Sequence, residues 1–387
     1  MKFAFLRRVV GAVMAGALLL ATAPTAAGQG VVKRYFNRLV NDTTDAAEPQ
    51  FFIYPTVGYS PETNFEFGAS ALYVYYANRD TVNRLSEISA FGFYTFESQA
   101  GLWLENSIYS DQDRWFVLGR IRAQQFPLLY HGIGPRTPAD PVARVDANQL
   151  QIRERVLHKV VKNLFFGPEV DFQQLTSVRF VDQAPDDGVE VPRPRGADGS
   201  RNLGLGVGLV FDSRHNVLNV RDGLFSELAA LRYLKPLGSD FAFTTLISDT
   251  RLYRPLGRRN VLAAQLLGQF TDGGAPFNQL ALLGGESIMR GYYLGRYRAN
   301  NQVVGQAEAR FLPLPLGKFS KRIGAVVFGS LGTVFNRRQD VAVSDLKYAG
   351  GAGLRFLLFP KKDVYTRFDV ALTKEGPGFY FFIGEAF

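Results

Sequence analysis

Residues 283–312 read LGGESIMRGYYLGRYRANNQVVGQAEARFL, a Gly- and Arg-rich run that passes into an alternating stretch. From Val303 to Phe311, Gln306, Glu308 and Arg310 fall on one face, while Ala307, Ala309 and Phe311 fall on the other. That division follows because strand side chains alternate with a period of two. Ionic groups on one side and apolar groups on the other suit a wall between enclosed water and lipid. The segment before it, with Arg290 beside Gly291 and two tyrosines, has no helical spacing and reads as a loop. A basic turn between two strands would give the same local signal, so the rest of the chain decides.

Composition favours the wall. The 387 residues are 47% hydrophobic and 13% aromatic, with 33 Phe, 17 Tyr and 39 Gly, and mean hydropathy is near zero. Cysteine is absent, which excludes disulfides and thiolate metal sites. The formal charge of +9 includes Lys2, Arg7 and Arg8, the only charges in residues 1–27, so a chain cleaved after residue 27 carries 9 − 3 = +6. A mild basic excess suits outer-membrane lipid and lipopolysaccharide phosphates as partners. It is dispersed along the chain, which argues against nucleic acid.

Residues 1–27 have the form of a secretory signal. Lys2, Arg7 and Arg8 are the charged head, Val9 to Ala21 the apolar middle, and Thr25-Ala26-Ala27 the small-residue cleavage site. The apolar run is shorter than the ~20 residues of a spanning helix, and no longer run follows. Membrane residence therefore requires a closed barrel, since only helices and barrels satisfy the backbone in lipid. Residues 28–49 are a short N-terminal segment, placed in the periplasm by this reading. It is either a small amphipathic helix, with Val32, Phe36 and Leu39 opposite Lys33, Arg34 and Arg38, or an unstructured leader.

From residue 50 to 387 strand-like segments alternate with turn signals. They lie near 50–60, 65–78, 86–98, 100–110, 114–127, 148–161, 163–180 and 202–213 in the first half. The second half adds 223–236, 240–254, 260–271, 302–312, 321–335, 347–359, 363–374 and 378–387. The expected fold is all-β, a 16-stranded antiparallel transmembrane barrel, even-numbered as bacterial barrels are. The three longest connections, 128–147, 181–200 and 273–300, all follow odd-numbered strands and so emerge at one end. The other end has short turns such as Ser110-Asp111-Gln112-Asp113. Long outer loops with short periplasmic turns are the outer-membrane arrangement. Strands near 202–213 and 364–373 alternate cleanly, with Leu203, Leu205, Val207 and Leu209 opposite Gly204, Gly206 and Gly208, and Phe368 opposite Arg367 and Asp369. Strands 223–236 and 321–335 alternate poorly.

With these features in place, Met289-Arg290-Gly291-Tyr292 followed by Ala307-Glu308 resembles the signature of the BamA/TamA outer-membrane superfamily, the bacterial surface antigen barrels. The resemblance implies that this loop folds back into the barrel and that Arg290 pairs with acidic residues on the inner wall. Glu308 is the first candidate, by spacing as well. The family's second acidic position lies in a Phe-x-Asp-x-Gly-Thr-Val pattern. Here Phe328-Gly329-Ser330-Leu331-Gly332-Thr333-Val334 puts Ser330 at that place. Asp212, Arg214 and Gly223 resemble the family's turn after the eighth strand, where Asp212 and Arg214 would hydrogen-bond turn backbone. Phe379, Phe381, Ile383 and Phe387 share one face of the last strand and resemble the terminal insertion signal of outer-membrane barrels. Gly384 would weaken that edge strand's hold on strand one, the seam that serves the family as a lateral gate. The family's periplasmic POTRA modules find no room in 28–49, since even one βαβ-scale unit takes roughly 30 residues or more.

Enzyme chemistry finds no support. His131, His158 and His215 are scattered, and Gly285-Glu286-Ser287-Ile288-Met289 lacks the second glycine of a nucleophile elbow. Gly204-x-Gly206-x-Gly208 sits within a strand, with no helix after it to hold a phosphate. No catalytic residue, cofactor or metal is expected. The resemblance implies assistance in inserting or translocating outer-membrane or surface proteins through the seam between first and last strands. The competing expectation is a passive pore or lipid-interacting structural barrel.

Overall fold

The computed structural model describes residues 47–182, 193–214, 219–257, 260–314, 322–359 and 363–387. The expected secretory signal, most of the 28–49 segment and His215 lie outside them.

The chain forms a closed antiparallel barrel of sixteen strands. The first half comprises β1 (Gln50–Ser60), β2 (Asn64–Tyr76), β3 (Leu85–Thr95) and β4 (Ala100–Tyr109). It continues with β5 (Trp115–Gln125), β6 (Ala143–Val161), β7 (Leu164–Asp182) and β8 (Ser200–Asp212). The second half holds β9 (Gly223–Tyr233), β10 (Phe243–Leu256), β11 (Asn260–Gly273) and β12 (Asn301–Phe311). It ends with β13 (Ile323–Phe335), β14 (Lys347–Phe359), β15 (Val364–Thr373) and β16 (Gly376–Ile383). Each strand pairs with its neighbours in sequence, and β16 returns to β1.

Every strand of the sequence reading is present, with shifted ends. β6 starts at Ala143, inside the expected loop, because Leu128–Tyr130 pairs with its first residues and extends the sheet there. β9 stops at Tyr233, before a single 3-10 turn at Lys235–Leu237. β16 stops at Ile383, and Gly384 with φ +95° takes the backbone out of the strand.

The two faces separate by chemistry. Phe51, Leu266, Val327, Leu354 and Leu372 point outward and are exposed. Arg153, Glu169, Asp249, Glu308, Arg355, Arg367 and Asp369 point inward and are buried. A backbone paired strand to strand around a closed sheet, with apolar side chains outside, is what lipid accepts. The poorly alternating strands have apolar groups on both faces for a local reason. Leu231 and Tyr233 of β9 and Val326, Phe328 and Val334 of β13 face inward into apolar clusters, most of which the loop after β11 covers.

Candidate functional site

The loop after β11 runs back into the lumen and builds its own core there. Leu283, Met289, Tyr292, Tyr297 and Ala299 pack against Val304 of β12, Val334 of β13 and Ala349 of β14. A short pairing of Ala281–Leu283 with Tyr297–Ala299 closes the base of the loop. At its tip Gly291 adopts φ +104°, and a Cβ there would sit 2.5 Å from Thr373 Cγ2, so the close approach to the wall needs glycine.

Arg290 lies at the centre of a ring of charges. Its guanidinium donates to Glu308 on β12 and, at 2.5 Å, to Asp369 on β15. Asp369 also accepts Arg355 Nη1 of β14 at 2.5 Å, and Glu308 accepts Arg310 Nε at 2.8 Å. Glu385, two residues from the end of the chain, accepts Arg355 Nε at 2.9 Å and lies 4.0 Å from Arg310 Nε. Three arginines thus alternate with three carboxylates around a closed circuit. Arg290 also lies 3.6 Å above the Phe328 ring, a cation–π contact that supports its cation. Desolvating ions is costly and their pairing offsets that cost, whereas deleting one member removes the offset for its partners.

Of the residues singled out for the loop lock, Met289, Arg290, Gly291 and Tyr292 lie in the lumen, and Glu308 meets Arg290. Ser330 does not supply the second contact. It faces the lumen beside Gln306 in the β12–β13 register, and the second carboxylate comes from Asp369, two strands further on. The loop reaches across the lumen rather than along the adjacent strands, so the partner is distant in sequence. The signal lay in Arg355, Arg367 and Asp369, charges on inward faces that require partners.

The loop touches both sides of the β1–β16 joint. The Gly291 N–H donates to Tyr380 OH of β16 at 2.8 Å, and the Leu294 N–H donates to Glu62 in the β1–β2 turn at 2.7 Å. Burial, outweighing this bond, pushes the Glu62 carboxyl above the usual carboxylate range. Among the described residues the joint itself has one register pair, Tyr59 with Phe381, whereas β1 and β2 pair over eleven positions from Gln50 to Ser60.

A family model described as the Omp85 superfamily domain matches residues 139–387. The chain belongs to the Omp85 superfamily. A search of curated proteins gives no match. Among solved structures the barrel is similar to BamA from Haemophilus ducreyi lacking POTRA domains 1–3, at 15% identity and TM-score 0.57, covering 86% of this chain and 70% of that one. It is also similar to CdiB from Escherichia coli, at 13% identity and TM-score 0.57, over 90% of this chain and 69% of the other. CdiB from Acinetobacter baumannii gives 10% identity and TM-score 0.56, over 87% and 59%. These likenesses are of fold, and the fold is that of a bacterial outer-membrane barrel.

In this Omp85 barrel the turn residues form a second ionic knot at the short-turn end. Arg214 donates to both Asp212 oxygens, at 3.0 and 2.9 Å, and Asp212 Oδ1 accepts the Arg214 N–H at 3.0 Å. Arg84 adds a bond to the Asp212 carbonyl, and Tyr109 OH reaches Asp212 Oδ2 at 3.3 Å. Gly223 takes φ +118°, with Ser213 O and Arg214 Cα 3.0 Å from where a Cβ would lie.

The C-terminal residues divide. Phe379 is exposed on the outer face and shares its parity with Phe381 and Ile383, while Tyr380 is buried on the inner face. Phe387 does not share that outer face. Beyond Gly384 the tail turns into the lumen, where Phe387 packs against Val220, Tyr253, Val261 and Ala263. Arg310 donates to its carbonyl at 2.8 Å and lies 5.2 Å from its ring. The positive φ of Gly384 ends the period-two parity on which the single-face reading relied.

Proposed function

We propose that this protein assists the insertion or translocation of outer-membrane or surface proteins, and that the β1–β16 joint is the opening through which it acts. One observation carries the reading: the joint is held by a single register pair and by the lumenal loop, rather than by a ladder. In this reading the Arg290 circuit keeps the loop, the tail and both sides of the joint together. Opening then consists of releasing loop contacts, not of breaking a full set of strand hydrogen bonds. A client strand would pair with the freed edges by strand addition. Membership of the Omp85 superfamily and the barrel's likeness to BamA and CdiB support this assignment. The outward apolar band would meet lipid, and the chain's dispersed basic excess suits lipopolysaccharide phosphates.

The chain has no cysteine, so two introduced ones report without interference. Tyr59→Cys with Phe381→Cys places thiols at the register pair. In liposomes the reduced protein should accelerate insertion of an unfolded client barrel, and oxidation should abolish the effect until a reductant restores it. Undiminished insertion by the oxidised form, or no acceleration by the reduced form, would overturn the proposal and leave a passive barrel.

A further inference from the structure

At the long-loop end, apart from the Arg290 circuit, loops and wall enclose a vestibule of about 950 Å³. Four cations line it: Arg136 from the loop after β5, Arg296 from the lumenal loop, Lys347 at the start of β14, and Lys374 in the β15–β16 turn. Two carboxylates share the space, and both are engaged. Asp345 accepts Arg136 at 2.7 and 3.2 Å, and Glu375 accepts Arg296 Nε at 2.7 Å and Tyr297 OH at 2.5 Å. Among the described residues neither Lys347 nor Lys374 has a carboxylate within ion-pair distance. Four cations against two carboxylates leave two positive charges uncompensated.

Lys347 is the telling group. The residue is 5% exposed, yet it lines the vestibule, and its ammonium lies 4.5 Å from the Tyr297 ring. An ammonium partly withdrawn from water with no carboxylate beside it favours a bound anion. We propose that the vestibule binds a phosphomonoester. Such a group carries about −1.5 to −2 at neutral pH and matches the two free ammoniums, whereas one carboxylate offsets half of them. Pro135, Pro138 and the edge of Tyr297 provide apolar wall for the rest of the molecule, such as a sugar ring. Arg296 and Tyr297 belong to the same loop as Arg290, so an occupied vestibule adds a further brace to that loop.

The test uses the full chain in zwitterionic detergent, titrated calorimetrically with glucose 6-phosphate, inorganic phosphate and uncharged glucose. Lys374→Gln alters an exposed turn residue, and Lys347→Gln removes the buried ammonium. Saturable binding of glucose 6-phosphate without binding of glucose is expected, weakened about tenfold by either variant, as loss of one charged hydrogen bond implies. Added salt should weaken it further. A second arm measures displacement by nanodiscs containing a phosphorylated glycolipid: displacement assigns the group to a lipid headgroup, and its absence to a free phosphate ester. Equal affinity in wild type and both folded variants, or no saturable binding in either arm, would overturn the proposal.

Discussion

The β6–β7 ladder and the β1–β16 joint are built from the same backbone groups and differ in what holds them. β6 and β7 are nineteen residues each, paired from Ala143 with Asp182 down to Val161 with Leu164. Ion pairs reinforce them from inside, with Glu169 accepting Arg153 at 2.6 Å and lying 2.7 Å from Arg155. At β1–β16 one register pair remains, and the cohesion passes to the loop, Tyr380, Glu62 and the tail. Where a wall is only structural, backbone pairing carries it. At the joint, side-chain and backbone contacts to the loop stand beside a shortened ladder, which is what the proposed opening requires.

The largest expected effect comes from breaking the circuit at its most connected carboxylate. Asp369→Ala takes one of their two carboxylates from both Arg290 and Arg355, leaving only Glu308 and Glu385 in the circuit, and should cost about 3–5 kcal/mol, read as a fall in the temperature at which the folded band is lost on semi-native gels. Removing residues 384–387 should act more locally. It takes away Glu385 and the Phe387 plug, and should speed amide exchange in β1 and β16 while leaving β6 and β7 unchanged. Smaller again is a pH effect at His131, which is buried in the loop after β5. Burial, with Arg296 nearby, lowers its pKa below 6.5, so the fold favours the neutral ring. Stability from this site is present above the unfolded value and is lost as pH falls through the lower folded value. A loss of loop protection on acidification that His131→Gln abolishes would check it. The smallest effect belongs to Arg179→Ala. Arg179 pairs with Asp146 at 3.0 Å from a side chain 74% exposed, and its loss should change stability by less than about 1 kcal/mol.

Strand number, their antiparallel order and the side on which the long loops emerge were legible because period-two alternation and turn chemistry are local. Glu308 was legible for the same reason, since it lies on the strand that follows the loop. Asp369 was not, because its meeting with Arg290 depends on the path of the loop across the lumen, which neighbouring residues do not encode. The inward-facing apolar residues of β9 and β13 blurred the alternation, because loop atoms rather than water cover many of them. Phe387 misled because parity was carried through Gly384. Glu385, a charge in an apolar stripe, was the sign that the tail had left the wall, and it pairs with Arg355.

The central claim is that the β1–β16 joint depends on the loop rather than on its ladder. Amide hydrogen exchange of the protein in lipid nanodiscs, compared between wild type and Arg290→Ala, tests it most directly. The account predicts weaker protection at β1 and β16 than at β6 and β7 in the wild type, and a further loss confined to β1 and β16 in the variant. Uniform protection around the barrel, unchanged by the substitution, would contradict it.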